Sequence, residues 1–124
     1  MKNEFFTKAT ENIEAAELLF ENRLYNASAN RAYYAGFQAA IAALENIGIK
    51  FDRVRHKAVQ ANFAAELVQK RKIYGNHLKS YLMDLQNVRN FADYKLKFVS
   101  KKVAYRQLKK ARELVEDVTK EIEK

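Results

Sequence analysis

The sequence predicts an all-α protein that forms one domain over residues 1–124. The chain contains no proline and only three glycines, so few positions would interrupt a helix. Strong helix formers such as alanine, leucine, lysine and glutamate are abundant. Apolar residues also recur every three or four positions, which is the period of an amphipathic helix. We therefore expect an antiparallel up-and-down helical bundle of four principal helices plus one additional helix.

The first two predicted helices differ in how much of their surface is apolar. The first, at about residues 4–22, has one apolar and one acidic face, as an ordinary bundle helix does. The second begins near Asn26 or Ser28, either of which would serve as its N-cap, and ends before Gly48, a typical C′ residue. Because this second helix is apolar on nearly all sides, we expect it to be central and the most buried.

Three further helices follow a loop over residues 48–55. The third, at about residues 56–69, presents an apolar face and precedes a short connection. The fourth, at about 76–94, leads through a short joint to Ser100, a suitable N-cap for the last helix at about 101–122. The apolar stripe of the last helix is long enough to pack along a bundle or a partner, and it comprises Ala104, Leu108, Ala111, Val115, Val118 and Ile122.

Positive charge is concentrated in the C-terminal third of the chain. The formal net charge is +8, and residues 95–112 contain eight basic residues and no acidic one. Such clustering is typical either of a surface that binds a polyanion, usually nucleic acid, or of a solvated helix face. The candidate phosphate-binding residues of this stretch are Lys95, Lys97, Lys101, Lys102, Arg106, Lys109 and Lys110.

The most informative stretch is the end of the fourth predicted helix, residues 87–94. Extending the apolar stripe of Leu82 and Leu85 reaches Arg89, so a guanidinium stands where the pattern expects an apolar side chain. Since arginine cannot lose its charge by deprotonation, a buried guanidinium needs a partner or a ligand. Asp93, one turn later, is the partner that the spacing suggests. The sequence therefore predicts a buried or half-buried polar cluster at this helix end.

The neighbouring polar residues allow a structural and a functional interpretation. Asn90 and Tyr94 form a second pair four residues apart, so the cluster is either a network that closes the bundle or a phosphate site. Arginine suits a phosphate site because its planar fork binds two phosphate oxygens. On the central helix, Arg31 and Gln38 are seven residues apart. They either face solvent or line the same cavity as Arg89, and in the second case Arg31 is a further candidate phosphate-binding residue.

Several kinds of site are excluded or unsupported. The chain has no cysteine, so disulfides, zinc–thiolate sites and thiol catalysis are excluded. His56 and His77 have no carboxylate nearby at ligand spacing, and we expect both to be surface or capping residues with no metal site and no cofactor. The longest nearly apolar run, residues 32–44, is too short to cross a bilayer. No signal peptide is expected, and we expect a soluble, cytoplasmic protein without a membrane role.

Three segments resemble the HEPN domain family, in particular its small stand-alone prokaryotic branch. They are residues 31–38 (Arg-Ala-Tyr-Tyr-Ala-Gly-Phe-Gln), 55–57 (Arg-His-Lys) and 89–94 (Arg-Asn-Phe-Ala-Asp-Tyr). The resemblance covers nearly the whole chain. It implies a homodimer in which the arginine motifs of both chains meet at a shared cleft. It also implies binding of RNA or a nucleotide, metal-independent ribonuclease activity, and a toxin or defence role beside a minimal nucleotidyltransferase partner.

The chain departs from the family motif at one position. In the motif, arginine is followed after four to six residues by a histidine, whereas residues 94–96 here are Tyr-Lys-Leu. A phenol, with an ordinary pKa of about 10, is a poor base at neutral pH. By resemblance Arg89 would bind phosphate and Asn90 would take the polar second position of the motif. Our candidate catalytic residues are Arg89 to hold the phosphate, Asn90 and Asp93 to orient it, and Tyr94 to donate a hydrogen bond to a phosphate or base. No residue inherits the role of the histidine.

Two other functions remain open at this point. One is a non-catalytic interaction module that binds a nucleotidyltransferase partner and uses the Arg89 cluster only for structure. The other is a DNA-binding accessory protein that acts through the basic last helix.

Overall fold

The computed structural model describes residues 3–124, which form five α-helices and one π-helical segment without any β-strand. The helices are α1 (Glu4–Glu21), α2 (Tyr25–Asn46), α3 (His56–Asn62), α4 (Asn76–Tyr94) and α5 (Lys101–Ile122). The π-helical segment, Phe63–Lys70, continues directly from α3. The four long helices pack as a bundle, and α3 with the π-helical segment is the additional helical element. The prediction of an all-α helical bundle is confirmed.

Helix α2 is the centre of the bundle, as its composition predicted. It contacts every other helical element, and most of its buried positions are alanines, whose small side chains allow neighbouring helices to approach closely. One such close approach is at Gly36. A Cβ atom there would lie 2.9 Å from Cδ1 of Leu85 on α4 and 3.3 Å from Cδ2 of Leu114 on α5. Helices α4 and α5 are therefore held on either side of this glycine.

Three of the helix ends follow simple capping chemistry. Asn3 caps α1, because its Oδ1 accepts a hydrogen bond of 3.2 Å from the Phe6 amide. The predicted cap of α5 is confirmed, since Oγ of Ser100 accepts a hydrogen bond of 3.2 Å from the Val103 amide. Gly48, with a φ of 90°, follows the C-cap of α2 in the left-handed region that favours glycine.

The predicted N-cap of α2 is wrong. The cap residue is Leu24, which makes no side-chain capping bond. Ser28 instead donates a buried hydrogen bond of 2.8 Å to the carbonyl of Ala16 on α1. Asn26 joins two other elements, and its bonds are described below. Both side chains are used between helices because the start of α2 is packed against its neighbours, where an unpaired polar group would be costly.

Asn26 ties the end of α4 to the beginning of α5. Its Nδ2 donates a hydrogen bond of 3.3 Å to the carbonyl of Ala92, and its Oδ1 accepts one of 2.7 Å from the Val99 amide. Ala92 and Val99 also belong to a small apolar cluster with Ala29 and Ala104. The residues between α4 and α5 are thus anchored to α2 at both ends.

The third predicted helix is only partly α-helical. The α-helical hydrogen bonding of α3 ends at Asn62, and the following turns are wider. The apolar residues of this region, Val59, Phe63 and Leu67, are spaced four apart and are all fully buried. The π-helical segment contributes Phe63 and Leu67 to the core. None of the helices within residues 3–124 is long and apolar enough to cross a membrane.

The close approach at Gly36 makes a specific prediction about stability. Replacing Gly36 with leucine should lower the free energy of unfolding by at least about 1–3 kcal/mol, because the added atoms must displace α4 or α5. The matched control is Ala27→Leu, at an exposed position of the same helix, which should change it by less than about 0.5 kcal/mol. Urea unfolding measures both. Equal effects of the two substitutions would contradict the tight contact.

Candidate functional site

Arg89 lies at the end of α4 with its guanidinium held on three sides. Its side chain is 17% exposed. Nη2 donates a hydrogen bond of 3.0 Å to the hydroxyl of Tyr34, and Nη1 donates one of 3.2 Å to Oδ1 of Asn90. Nε lies 3.0 Å from Oδ2 of Asp93, but its N–H is not directed at that oxygen. The contact with Asp93 is therefore a charge pair, and the Nε–H has no acceptor within residues 3–124.

Three aromatic rings surround the same guanidinium. Its Cζ atom is 5.4 Å from the ring centre of Tyr34, 5.7 Å from that of Tyr33 and 5.6 Å from that of Tyr94. A guanidinium over aromatic rings gains cation–π attraction, most strongly where water is excluded. The tyrosines of α2 and α4 thus fix the position of a charge that cannot be neutralised.

A second guanidinium meets the first at Tyr34. Cζ of Arg31 lies 4.9 Å from the centre of the Tyr34 ring. The two arginines are also linked by hydrogen bonds and one charge pair. Nε of Arg31 donates to Oδ1 of Asn30 over 2.9 Å, and Nδ2 of Asn30 donates to Oδ2 of Asp93 over 3.0 Å. Asp93, which is paired with Arg89, therefore connects the two positive groups. We call Asn30, Arg31, Tyr34, Arg89, Asn90 and Asp93 the arginine cluster.

The polar contacts extend from Arg31 towards α1. Nη1 of Arg31 donates a hydrogen bond of 3.2 Å to Oδ1 of Asn12, and Nδ2 of Asn12 donates one of 2.6 Å to Oε1 of Gln38. Arg31 and Gln38 thus belong to the same network as Arg89. They are connected through side chains of α1 and α4, and the connection does not depend on a shared cavity.

The cavities lie apart from the arginine cluster. One of about 390 Å³ is on a different face of α4, and none of its lining residues is a polar residue of the motif. It is lined by Asn87, Val88, Phe91, Phe98, Val99, Ser100 and Val103. A larger cavity of about 530 Å³ lies where α1 begins and α2 ends. The convergence of charged and aromatic side chains identifies the arginine cluster as the candidate site better than cavity size does.

A basic and aromatic segment follows the arginine cluster along the chain. Tyr94 is 72% exposed, Phe98 82%, and Leu96 is fully exposed. Lys95 and Lys97 alternate with them and are exposed as well. We call residues 94–98 the α4–α5 segment. Exposed rings that alternate with lysines are typical of surfaces on which bases stack and phosphates are neutralised.

The remaining predicted phosphate-binding residues are all on α5 and differ in their surroundings. Four of them, Lys101, Lys102, Arg106 and Lys109, are exposed. Lys110 is instead paired with Asp84 of α4, at 2.5 Å between Nζ and Oδ2. Burial would raise the pKa of Asp84, but hydrogen bonds from Lys110 and Gln107 lower it overall. The charge of Lys110 is therefore already compensated.

His56 is close to the arginine cluster, which sequence reasoning did not predict. Its Nδ1 is hydrogen bonded to the hydroxyl of the fully buried Tyr33, and Phe37 stacks on its ring at 4.4 Å between centroids. Burial, and then the positive charge of Arg89, lower the pKa of His56. His56 therefore has contacts with Tyr33 and Phe37 that a surface or capping role does not describe. The resemblance of residues 55–57 to the family was the signal that could have identified this position.

His77 has the surface position that was expected, but it has acidic neighbours. Its Nε2 lies 2.8 Å from Oε2 of Glu113 on α5, and both side chains are about half exposed. Ligand atoms of His77, Glu113 and Asp117 lie within 4.8 Å of one another, so these three residues could hold a divalent cation. The sequence spacing did not indicate this group because the carboxylates come from a different helix.

Removal of the Arg89 guanidinium should destabilise the fold moderately. Without Arg89, Asp93 still accepts hydrogen bonds from Asn30 and is partly exposed, so no carboxylate is left buried without a partner. We expect Arg89→Ala to lower the free energy of unfolding by about 1–3 kcal/mol. Arg71→Ala, at an exposed position beyond the π-helical segment, is the control and should change it by less than about 0.5 kcal/mol. Thermal and urea unfolding measure both, and indistinguishable variants would contradict the role of the cluster.

The ionisation of His56 should depend on Arg89. We expect a pKa below the ordinary 6.5 in the native protein, and a rise in Arg89→Gln that stops short of 6.5 because burial remains. Since the unfolded chain binds the proton first, the free energy of unfolding should fall as the pH drops from about 6.5 to the native pKa. Nuclear magnetic resonance of the imidazole measures the titration, and His77→Gln simplifies assignment. An unchanged pKa in Arg89→Gln would contradict this coupling.

Comparisons with known proteins place this arrangement in a family. The model of the HEPN domain matches residues 3–122 of the chain. A protein of Methanocaldococcus jannaschii named "Putative toxin MJ0605" is 40% identical over 92 residues, which cover 69% of this chain. The chain spans about 62% of the length of that relative. Because the family model covers nearly all of the chain, this protein belongs to the HEPN domain family.

Proposed function

We propose that this chain is an RNA-binding toxin of the HEPN family that cleaves RNA without a metal ion. The observation that carries the proposal is the convergence of Arg31 and Arg89, from two helices, on the ring of Tyr34 at 4.9 and 5.4 Å. Two fixed guanidiniums with a single carboxylate between them leave a positive field at one end of the bundle. An RNA phosphate is the anion that such a field and the nearby exposed rings would bind together.

Arg89 is suited to hold the phosphate at which the chain would be cut. A guanidinium has five N–H groups, of which two donate within the arginine cluster and a third lies against Asp93. One N–H remains on each terminal nitrogen, and these two donors would be left to bind phosphate oxygens. The existing contacts to Tyr34 and Asn90 hold the guanidinium in place before a ligand arrives, which lowers the cost of binding.

The α4–α5 segment would guide the RNA strand to this phosphate. Tyr94 contributes to both surfaces, because its ring lies 5.6 Å from Cζ of Arg89 and is mostly exposed. A base could stack on Tyr94 or on Phe98, while Lys95 and Lys97 neutralise phosphates on either side. The exposed α5 residues Lys101, Lys102, Arg106 and Lys109 would extend the attraction outwards, with Lys110 contributing less because Asp84 compensates it.

The toxin part of the proposal rests on the Methanocaldococcus relative and on the family. The relative carries the name "Putative toxin", and a toxin that attacks RNA must be restrained in the cytoplasm by a partner. We propose a minimal nucleotidyltransferase as that antitoxin partner, and a homodimer as the form in which the chain acts. The exposed side chains Phe91 and Phe98 line the cavity of about 390 Å³, and Leu96 is exposed on the same segment as Phe98, so these apolar residues supply a surface for such contacts.

The same apolar surface favours a second candidate function, a non-catalytic module that binds the nucleotidyltransferase. In that case the arginine cluster would act only as a structural lock between α2 and α4. The existing contacts of Arg89 with Tyr34, Asn90 and Asp93 would hold α2 and α4 together in this role.

Cleavage of labelled RNA in the presence of EDTA distinguishes the two candidates. We expect the purified native protein to cut single-stranded RNA. The cleavage rate of Arg89→Ala should be lower by about 10²–10³-fold, because the charge that develops on the phosphate loses its hydrogen-bond donors. Arg89→Lys should recover only part of the rate, since an ammonium cannot form the two-pronged contact. Arg71→Ala removes an exposed guanidinium elsewhere and should leave the rate unchanged.

Two outcomes would contradict the ribonuclease. One is equal cleavage by the native protein and Arg89→Ala, which would point to a contaminating nuclease. The other is intact RNA together with a stable complex between this protein and the nucleotidyltransferase. If Phe98→Ser disrupts that complex and Arg89→Ala does not, the protein is the interaction module. Strong binding of duplex DNA that is lost when Lys101 and Lys102 are changed to glutamate would favour a DNA-binding accessory protein.

A further inference from the structure

A histidine outside the arginine motif lies beside the guanidinium that the proposed function uses. His56 is the first residue of α3, whereas Arg89 is near the end of α4. The two side chains meet around the same pair of tyrosines. The ring centre of His56 is 5.5 Å from that of Tyr33 and 6.4 Å from that of Tyr34, and Cζ of Arg89 is 5.7 and 5.4 Å from those centres.

The imidazole of His56 is held in a defined orientation. The Phe37 ring covers it at 4.4 Å with the planes only 12° apart, and the Tyr33 hydroxyl engages Nδ1. A hydroxyl can donate or accept, so this bond persists in either tautomer and when the ring is protonated. Nε2 makes no hydrogen bond within residues 3–124, and the side chain is only partly buried. One ring nitrogen is therefore anchored while the other is available.

We propose that His56 is the base of the RNA cleavage reaction and takes the place of the histidine that the α4 motif lacks. This inference rests on the proposed function. It assigns the proton transfer to α3, so that the phosphate-binding group and the base come from two helices joined by the tyrosines of α2. The tyrosine that follows Arg89 at the motif spacing, Tyr94, then has no need to act as a base.

The proposed step balances without a metal or redox partner. Nε2 of neutral His56 takes the proton of a ribose 2′-hydroxyl, and the 2′-oxygen forms a bond to the adjacent phosphorus. The bond between phosphorus and the 5′-oxygen breaks, and that oxygen takes a proton from water. The resulting hydroxide removes the proton from the His56 imidazolium and restores water. The products are a 2′,3′-cyclic phosphate and a 5′-hydroxyl, and Arg89 compensates the negative charge on the phosphate.

The charged and titratable surroundings suit a base that works at neutral pH. The groups that face His56 are Tyr33 and Tyr34 of α2 and Arg89 of α4, whereas its chain neighbours Arg55 and Lys57 are exposed. Burial raises the pKa of Tyr33, so that this phenol remains neutral. Burial and then Arg89 lower the pKa of His56, which favours the unprotonated imidazole that a base requires.

The test compares the two histidines of the chain in RNA cleavage. We expect His56→Ala to lower kcat by about 10²–10⁴-fold and to abolish the fall in rate at acid pH. Added imidazole should restore part of the rate in this variant, as a structural role would not allow. His77→Ala, which removes the exposed histidine paired with Glu113, should cleave at the native rate. Circular dichroism and thermal unfolding establish that each variant is folded.

A second measurement does not depend on turnover. A 2′-deoxy oligonucleotide of the substrate sequence cannot be cleaved by this route but should still bind. Its addition should shift the Nε2 resonance of His56, and the binding constant should change less than about threefold in His56→Gln, which is a loss of less than about 0.7 kcal/mol. Tyr33→Phe should slow cleavage less than His56→Ala, since it removes only the anchor of Nδ1.

The outcomes separate this inference from the proposed function. Native cleavage that depends on Arg89 but persists in His56→Ala would overturn the role of His56 and leave the ribonuclease intact. The role of His56 would also be overturned if His56→Ala loses cleavage, melts close to the native temperature and is not rescued by imidazole. Absence of cleavage by the native protein would overturn both, and an unmoved His56 resonance on oligonucleotide binding would exclude contact with the strand.

Discussion

The permanent charge of Arg89 is the constraint on which the site depends. A guanidinium that is 17% exposed cannot be neutralised, so every neighbouring group must accept a hydrogen bond, carry negative charge or present an aromatic face. Tyr34, Asn90 and Asp93 meet these needs, and the arginine cluster follows from that requirement. The result is a charge whose position is fixed by α2 as much as by the helix that carries it.

Helix α2 connects the core of the fold to the site. Its buried alanines and Gly36 bring α4 and α5 close, while its polar residues Asn30, Arg31 and Tyr34 meet the end of α4. The same helix thus sets the separation of its neighbours and supplies partners for Arg89. Close packing and the polar network reinforce each other, because a shift of α4 away from α2 would break contacts of both kinds.

Much of the fold could be predicted from local sequence signals, because those signals act within one helix. The periodicity of α4 and α5, the cap at Ser100 and the glycine after α2 all belong to this class. The roles of Asn26 and Ser28 could not be predicted, since their partners are on other elements. The Arg89–Asp93 pair was predictable from its spacing of four, whereas the approach of His56 depends on how α3 packs against α2.

The anchoring of the α4–α5 segment by Asn26 has a consequence for its conformational entropy. Both ends of this short exposed stretch are hydrogen bonded to the same side chain, at the Ala92 carbonyl and the Val99 amide. A chain with fixed ends samples far fewer conformations than a free one of the same length. Any molecule that settles on Leu96 and Phe98 therefore meets a surface that is already largely ordered, and the entropic penalty of association falls mostly on the incoming molecule.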